Sequence, residues 1–168
     1  CLSSLNLEYF DEWSKDKGFL KDVLEMLDNT LSKFIEDAPD SISRAKYSAM
    51  RERSVGVGAL GFHAYLQKKG MPFESALAKS SNMKMFRHIR SGLDSANLEL
   101  GRERGEAPDA KGTGLRCSHV MAIAPNASSS IIMGNTSPSI EPWRANAYRQ
   151  DTLSGSFLNK NKFLDKLI

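Results

Sequence analysis

The longest uninterrupted apolar run without glycine in this chain is five residues, Val120 to Ala124, and it ends at Pro125. An apolar residue at every position suits a strand buried on both faces, not one with a solvated side. The residues that follow, Asn126 to Ser130, are small and polar. A buried strand running into a small polar loop points to an α/β arrangement, in which ligands sit beyond the carboxyl ends of the strands. Five residues also fall far short of the roughly 20 that a membrane helix needs. No basic stretch leading into an apolar one opens the chain, so no secretory signal is read. The expectation is a cytoplasmic setting with no membrane partner.

Ahead of that run the pattern is mostly helical. Leu2, Ser4, Asn6 and Glu8 alternate imperfectly with Ser3, Leu5, Leu7 and Tyr9, which suits a short strand. Leu20, Val23, Leu24, Leu27, Leu31, Phe34 and Ile35 recur at three and four, which predicts an amphipathic helix of about five turns. It stops near Ala38, because Pro39 disfavours a helical residue before it. Ser43 is the expected cap of a second helix running through Tyr47 and Met50 into the Gly-dotted stretch from Val55 to Leu66. Ser75 is the expected cap of a third, with a stripe at Phe86, Ile89, Leu93, Ala96 and Leu100, and Gly105 ends it. Gly105 to Arg116 reads as a loop, Ser118 to Ala124 as a strand, and Trp143 to Gln150 as a further strand. Strand, helices and strand in that order suggest an α/β unit with helical crossovers.

The 168 residues fit one domain, 40% of them hydrophobic and 26% charged. The net charge of +3 is too small and too scattered for a nucleic-acid footprint, so no direct nucleic-acid partner is expected. Two cysteines 116 positions apart exclude a disulfide framework and a CxxC zinc site, and three histidines without ligand spacing argue against a metal site. Arg51, Arg53, Arg102 and Arg104 read as solvated helix faces, with a buried Arg pair as the alternative. Cys117 reads as a structural thiol.

Two motifs carry candidate chemistry. Gly56-Val57-Gly58-Ala59-Leu60-Gly61 matches GxGxxG. A dinucleotide fingerprint needs a strand before it and an acid about 20 positions on. Here the preceding residues read as helical, and Ser81, Asn82 and Met83 stand where the acid belongs. The plainer reading is a helix thinned by glycines so that another element packs close. Asn126-Ala127-Ser128-Ser129-Ser130, at a strand end, offers free N–H groups and hydroxyls to a phosphate. An ordinary Ser cap with no ligand remains open beside it.

Met121 to Ser130 followed by Ser139-Ile140-Glu141-Pro142 resembles the large subunit of class I ribonucleotide reductase. So do Cys1-Leu2-Ser3-Ser4-Leu5-Asn6-Leu7, Gly56 to Phe62, and Leu153-Ser154-Gly155-Ser156-Phe157. The matches follow family order across the chain and look most like the T4-like phage type. The resemblance implies a ten-stranded α/β barrel made of two half-barrels. Residues 1–168 would be part of that catalytic barrel, the start of its second half, largely helical with a few strands. It implies an enzyme that removes the ribose 2′-hydroxyl of a ribonucleoside diphosphate by thiyl-radical chemistry, serving deoxyribonucleotide synthesis. Cys1 would be one thiol of the redox pair, and Asn126, Ala127, Ser128, Ser129 and Ser130 would hold the substrate diphosphate. The implied partners are the remaining segments of the large subunit and a radical-generating small subunit, with a dithiol reductant. No cofactor and no metal are expected on this segment.

Much of the family pattern is absent. No Asn-x-Cys-x-Glu motif occurs, and the other redox cysteine, the ATP-binding domain and the radical-relay tyrosines have no counterpart. The chain starts at Cys1, not Met, and ends on Phe163 to Ile168, which reads as an unfinished helix. It therefore reads as a segment of a longer protein, inactive alone. Protein splicing leaves such a leading Cys, because its thiol attacks the upstream ester; a partial sequence does too. Two other readings are a stand-alone phosphate-binding module and a helical scaffold in which the Ser residues merely cap a turn.

Overall fold

The computed structural model describes residues 1–152 and 155–164. Leu153 and Ser154 of the last motif, and the end of the expected terminal helix from Asp165 to Ile168, lie outside the described residues. Strand β1 spans Leu2–Asn6 and leads through a short 3-10 turn into α1, Phe10–Trp13. Helix α2, Phe19–Asp37, follows the predicted stripe, burying Leu20, Leu24, Leu27 and Leu31. Its end falls before Ala38 and Pro39, as the residue pattern requires.

Helix α3 spans Ser43–Glu52, and the expected cap differs. Ser43 is the first helical residue; Ile42 is the cap and makes no side-chain bond there, because a 3-10 turn at Asp40–Ile42 leads straight into the helix. The helix also ends earlier than expected. Residues Gly56–Leu60 form β2, buried at all five positions. It pairs in parallel with β1, Leu2 opposite Gly56 and Asn6 opposite Leu60. The expected glycine-thinned helix was thus the wrong element, although close packing is what the glycines serve. A Cβ on Gly58 would lie 2.5 Å from Ala122 O, and one on Gly56 would lie 2.6 Å from Leu2 Cδ2. The β-strand that is buried throughout is β2, because it has a neighbour on each side.

Helix α4 spans Phe62–Lys68. Helix α5 spans Ala76–Arg104, and the Ser75 side chain accepts from Ala78 N–H at its start, as predicted. Gly105 closes it. Met85, Ile89, Leu93, Ala96 and Leu100 of α5 pack with the α2 leucines and with Leu5 and Val57 of the sheet.

The run from Ser118 to Ala124 is not a full strand. It lies parallel to β2 through one bridge, Met121 to Val57, with Val57 N–H donating to Val120 O at 2.8 Å. Val120 is buried, but Ala122 and Ile123 are exposed, against the expectation of burial on both faces. The run is an outer strand here, so its apolar residues gain cover on one side only. The row order is β1, β2, then residues 119–122, joined by two helical crossovers. One-turn helix α6, Ser129–Ile132, follows. The chain then forms an antiparallel hairpin of β3, Ala147–Thr152, and β4, Gly155–Lys160. Among the described residues no helix is long and apolar enough to cross a membrane.

Candidate functional site

The three parallel segments end together, and the polar loop lies at that carboxyl end. Asn126 takes a left-handed backbone conformation, φ +53°. Its Nδ2 donates to Ala124 O at 2.8 Å and to Ala59 O at 3.2 Å, tying the loop to β2. Ser130 is buried; its N–H donates to Asn126 O at 3.0 Å and its hydroxyl to Ala127 O at 3.1 Å. Between these anchors, the N–H groups of Ala127, Ser128 and Ser129 have no acceptor among the described residues. The hydroxyls of exposed Ser128 and Ser129 are likewise unengaged. Ser128 makes no cap bond, so the plain-cap alternative lacks the hydrogen bond that defines it. Successive free N–H groups beside small side chains are the kind of donors that anions take.

The exit of the loop is fastened to the same sheet end. Thr136 N–H donates to Ser130 O at 2.9 Å, and Ser137 O accepts from Gly61 N–H at 2.8 Å. The Ser137 hydroxyl accepts from Ala64 N–H at 3.0 Å. Lys162 reaches across to Glu8, just beyond β1. His63 Nδ1 accepts from Trp143 N–H at 3.3 Å, and burial holds its pKa below the usual imidazole value. A neutral ring with its proton on Nε2 fits both facts.

Cys1 lies elsewhere. It is exposed at the amino end of the sheet, where its carbonyl accepts from Gly56 N–H at 2.9 Å. It borders a shallow cleft of about 550 Å³ lined by Thr30, Phe34, Ser48, Glu52 and Ser54. In the register Cys1 shares a row with Val55 and His119, and Asn126 binds Ala59, four residues further along β2, so the loop starts about 13 Å along the strands at about 3.3 Å per residue. The fold therefore gathers Asn126 to Ser130 but does not bring Cys1 to them. Cys117 is a separate free thiol, fully buried, and burial pushes its pKa up to about 11. That suits the structural role assigned to it, since a thiol so rarely ionised is a poor nucleophile.

Several buried polar residues had no sequence signal. Glu8 sat in an apparent strand pattern. Asn97, on the buried face of α5, exchanges two bonds with the Cys117 backbone, at 2.8 and 2.9 Å. Asp28 accepts from Arg53, Arg104 and Arg116. The expectation of solvated arginines holds for Arg102 but not for Arg53, which is buried, or for Arg51 and Arg104, which are half-buried. Partners for these groups arrive from distant segments, and no local spacing shows them.

The family model described as the ribonucleotide reductase barrel domain matches residues 1–112 and 107–168. The chain belongs to this family. The ribonucleoside-diphosphate reductase large subunit of Invertebrate iridescent virus 6 is 61% identical over 168 residues, covering 100% of this chain and 18% of that protein. A Frog virus 3 relative, named a putative large subunit of the same enzyme, is 44% identical, covering 99% of this chain and 30% of that protein. Among solved structures, the Actinobacillus ureae class Id ribonucleotide reductase alpha subunit superposes with a TM-score of 0.89 at 39% identity, over 99% of this chain and 30% of that one. The chain thus spans less than a third of the length of each of these relatives. The reductase barrel fold expected from the motifs is borne out, as is its mixed character, largely helical with few strands. Viral relatives accord with the viral character of the motif likeness.

Proposed function

We propose that this chain is the part of a ribonucleoside-diphosphate reductase large subunit that cradles the substrate diphosphate and supplies one redox thiol. The carrying observation is the loop from Asn126 to Ser130 at the carboxyl end of the sheet, where three N–H groups and two hydroxyls have no partner among the described residues. Phosphate oxygens accept from such donors, and small side chains let them approach the backbone. In the reaction the 2′-hydroxyl leaves as water, hydrogen replaces it on carbon, and two thiols become a disulfide. A dithiol reductant restores the thiols, and a small subunit supplies the radical. The remaining parts of the large subunit complete the barrel in the host cytoplasm. These residues hold no resident cofactor or metal in this reading.

The loop is tested in the full-length reductase by Ser129→Asp. Ser129 is exposed, so the change leaves the fold intact while placing a negative charge among the donors. The KM for a ribonucleoside diphosphate should rise about tenfold or more, with a smaller effect on kcat. An unchanged KM would remove the loop from substrate binding.

The case for Cys1 rests on the family likeness and the exposure of the thiol. Cys1→Ser should abolish multiple turnover with a dithiol reductant. If the variant turns over as fast as the parent, Cys1 is a junction or core residue, and the claim shrinks to the loop.

A further inference from the structure

The two ends of the loop are fastened by different means. At its entrance, Asn126 binds Ala59 and Ala124 directly. Its exit passes through α6 to Gly134, and α6 has only four residues. So short a helix has few internal bonds to fix its own position, and the Thr136–Ser130 and Gly61–Ser137 backbone bonds hold the chain only on either side of Gly134. A side chain from beyond the hairpin does part of that work. Lys162 Nζ donates to Gly134 O at 3.0 Å, and to Glu8 Oε1 and Oε2 at 2.8 and 2.9 Å. Glu8 follows β1 and is only 6% exposed.

An ammonium group has three N–H donors and no acceptor. Glu8 takes two of them and Gly134 the third, so Lys162 keeps no donor for a phosphate. A buried carboxylate without a counter-charge is strongly unfavourable, which holds Lys162 on Glu8. The lysine is therefore not placed as a phosphate ligand, and it reaches substrate only through the backbone it fixes. Asn161, the residue before it, is itself held, donating to Asn146 Oδ1 at 3.1 Å and to Gln67 Oε1 at 3.3 Å. The clamp thus starts from an anchored base.

We propose that Lys162, held by Glu8, is a positioning residue for the diphosphate loop. It fixes Gly134, and with it α6, to the carboxyl end of β1, and so sets where the N–H groups of Ala127 to Ser129 meet phosphate. The inference rests on the diphosphate reading above.

Lys162→Met alone would strand a buried charge and threaten the fold. The informative variant is the pair Glu8→Gln with Lys162→Met, which removes both charges, studied in the full-length reductase. After circular dichroism shows the parent fold, the KM for a ribonucleoside diphosphate should rise about tenfold while kcat changes less than about threefold. The preference for a diphosphate over the corresponding monophosphate should fall by a similar factor. Lys162→Arg, which keeps the charge and the donors, should recover most of both. A folded pair variant with parental KM and parental phosphate preference overturns the proposal. Ser129→Asp in the same assay separates the two claims. If it too leaves KM unchanged, the diphosphate reading falls; if it raises KM and the pair variant does not, only the positioning role falls.

Discussion

Asp28→Ala should destabilise the fold by about 3–5 kcal/mol, the usual cost of removing one partner from a buried charge cluster. Asp28 is fully buried on α2. Arg53 donates to its Oδ1 at 2.6 and 3.0 Å, Arg104 to Oδ2 at 3.0 Å, and Arg116 to both oxygens at 3.0 and 3.2 Å. These arginines come from the end of α3, the end of α5 and the loop before Cys117. One carboxylate therefore ties three segments together. Without it, three guanidinium groups crowd with little to balance them, since Glu25 pairs only with Arg104. Urea unfolding checks the size, and a loss under about 1 kcal/mol would show that the cluster is relieved by water.

The pH dependence has a definite sign. Burial alone would push the Asp28 pKa up, but the guanidinium groups of Arg53, Arg104 and Arg116 outweigh it and hold the value below the usual carboxylate range. A group lowered on folding adds stability above its unfolded pKa, near about 3.9 for Asp, and loses it as pH falls through the folded value. Stability of the parent should therefore drop with acid below about pH 4, and Asp28→Ala should flatten that part of the profile.

Gly101→Ala is the second large expected loss. Inside a helix, Gly to Ala ordinarily stabilises by about 0.5–1 kcal/mol. Gly101 lies on the buried face of α5, under the loop that returns to Cys117. A Cβ there would press on Gly114 O, lie 2.9 Å from Gly114 C and 3.1 Å from Arg116 N. All three are backbone atoms, so no side chain can swing away. Overpacking of this kind costs about 1–3 kcal/mol or more, and it should win over helix propensity. Thermal unfolding should show a lower midpoint for Gly101→Ala and little change for Ser91→Ala on the exposed face of α5. A higher midpoint for Gly101→Ala would mean that the loop shifts freely. Because Arg116 both touches Gly101 and binds Asp28, the two substitutions should couple and not simply add.

Helices with strong local signals were legible. The leucine stripe and Pro39 bounded α2, and Ser75 with Gly105 bounded α5 to the residue. The stretch from Gly56 to Leu60 was misread because alternating glycines carry no side-chain period, and only a strand on each side shows what they are for. The apolar run at Val120 reached the right end of the sheet, but its exposure depends on neighbours that local sequence does not name. In the candidate site, Asn126 to Ser130 stood out through their small polar composition after a strand. Glu8 and Lys162, 154 positions apart, left no trace in spacing.

By itself the sequence determined where the two long helices stop and where α5 starts, that no apolar run reaches membrane length, and, through its ordered motifs, the reductase family. Those properties rest on local backbone preferences and on residue types at fixed positions. The tertiary structure decided which strand became the covered one, which arginines gave up solvent to surround Asp28, and how far Cys1 lies from the loop. It also decided that Lys162 holds Glu8 and Gly134. Burial and charge pairing depend on which distant segments meet, and that is settled only when the core closes around the sheet.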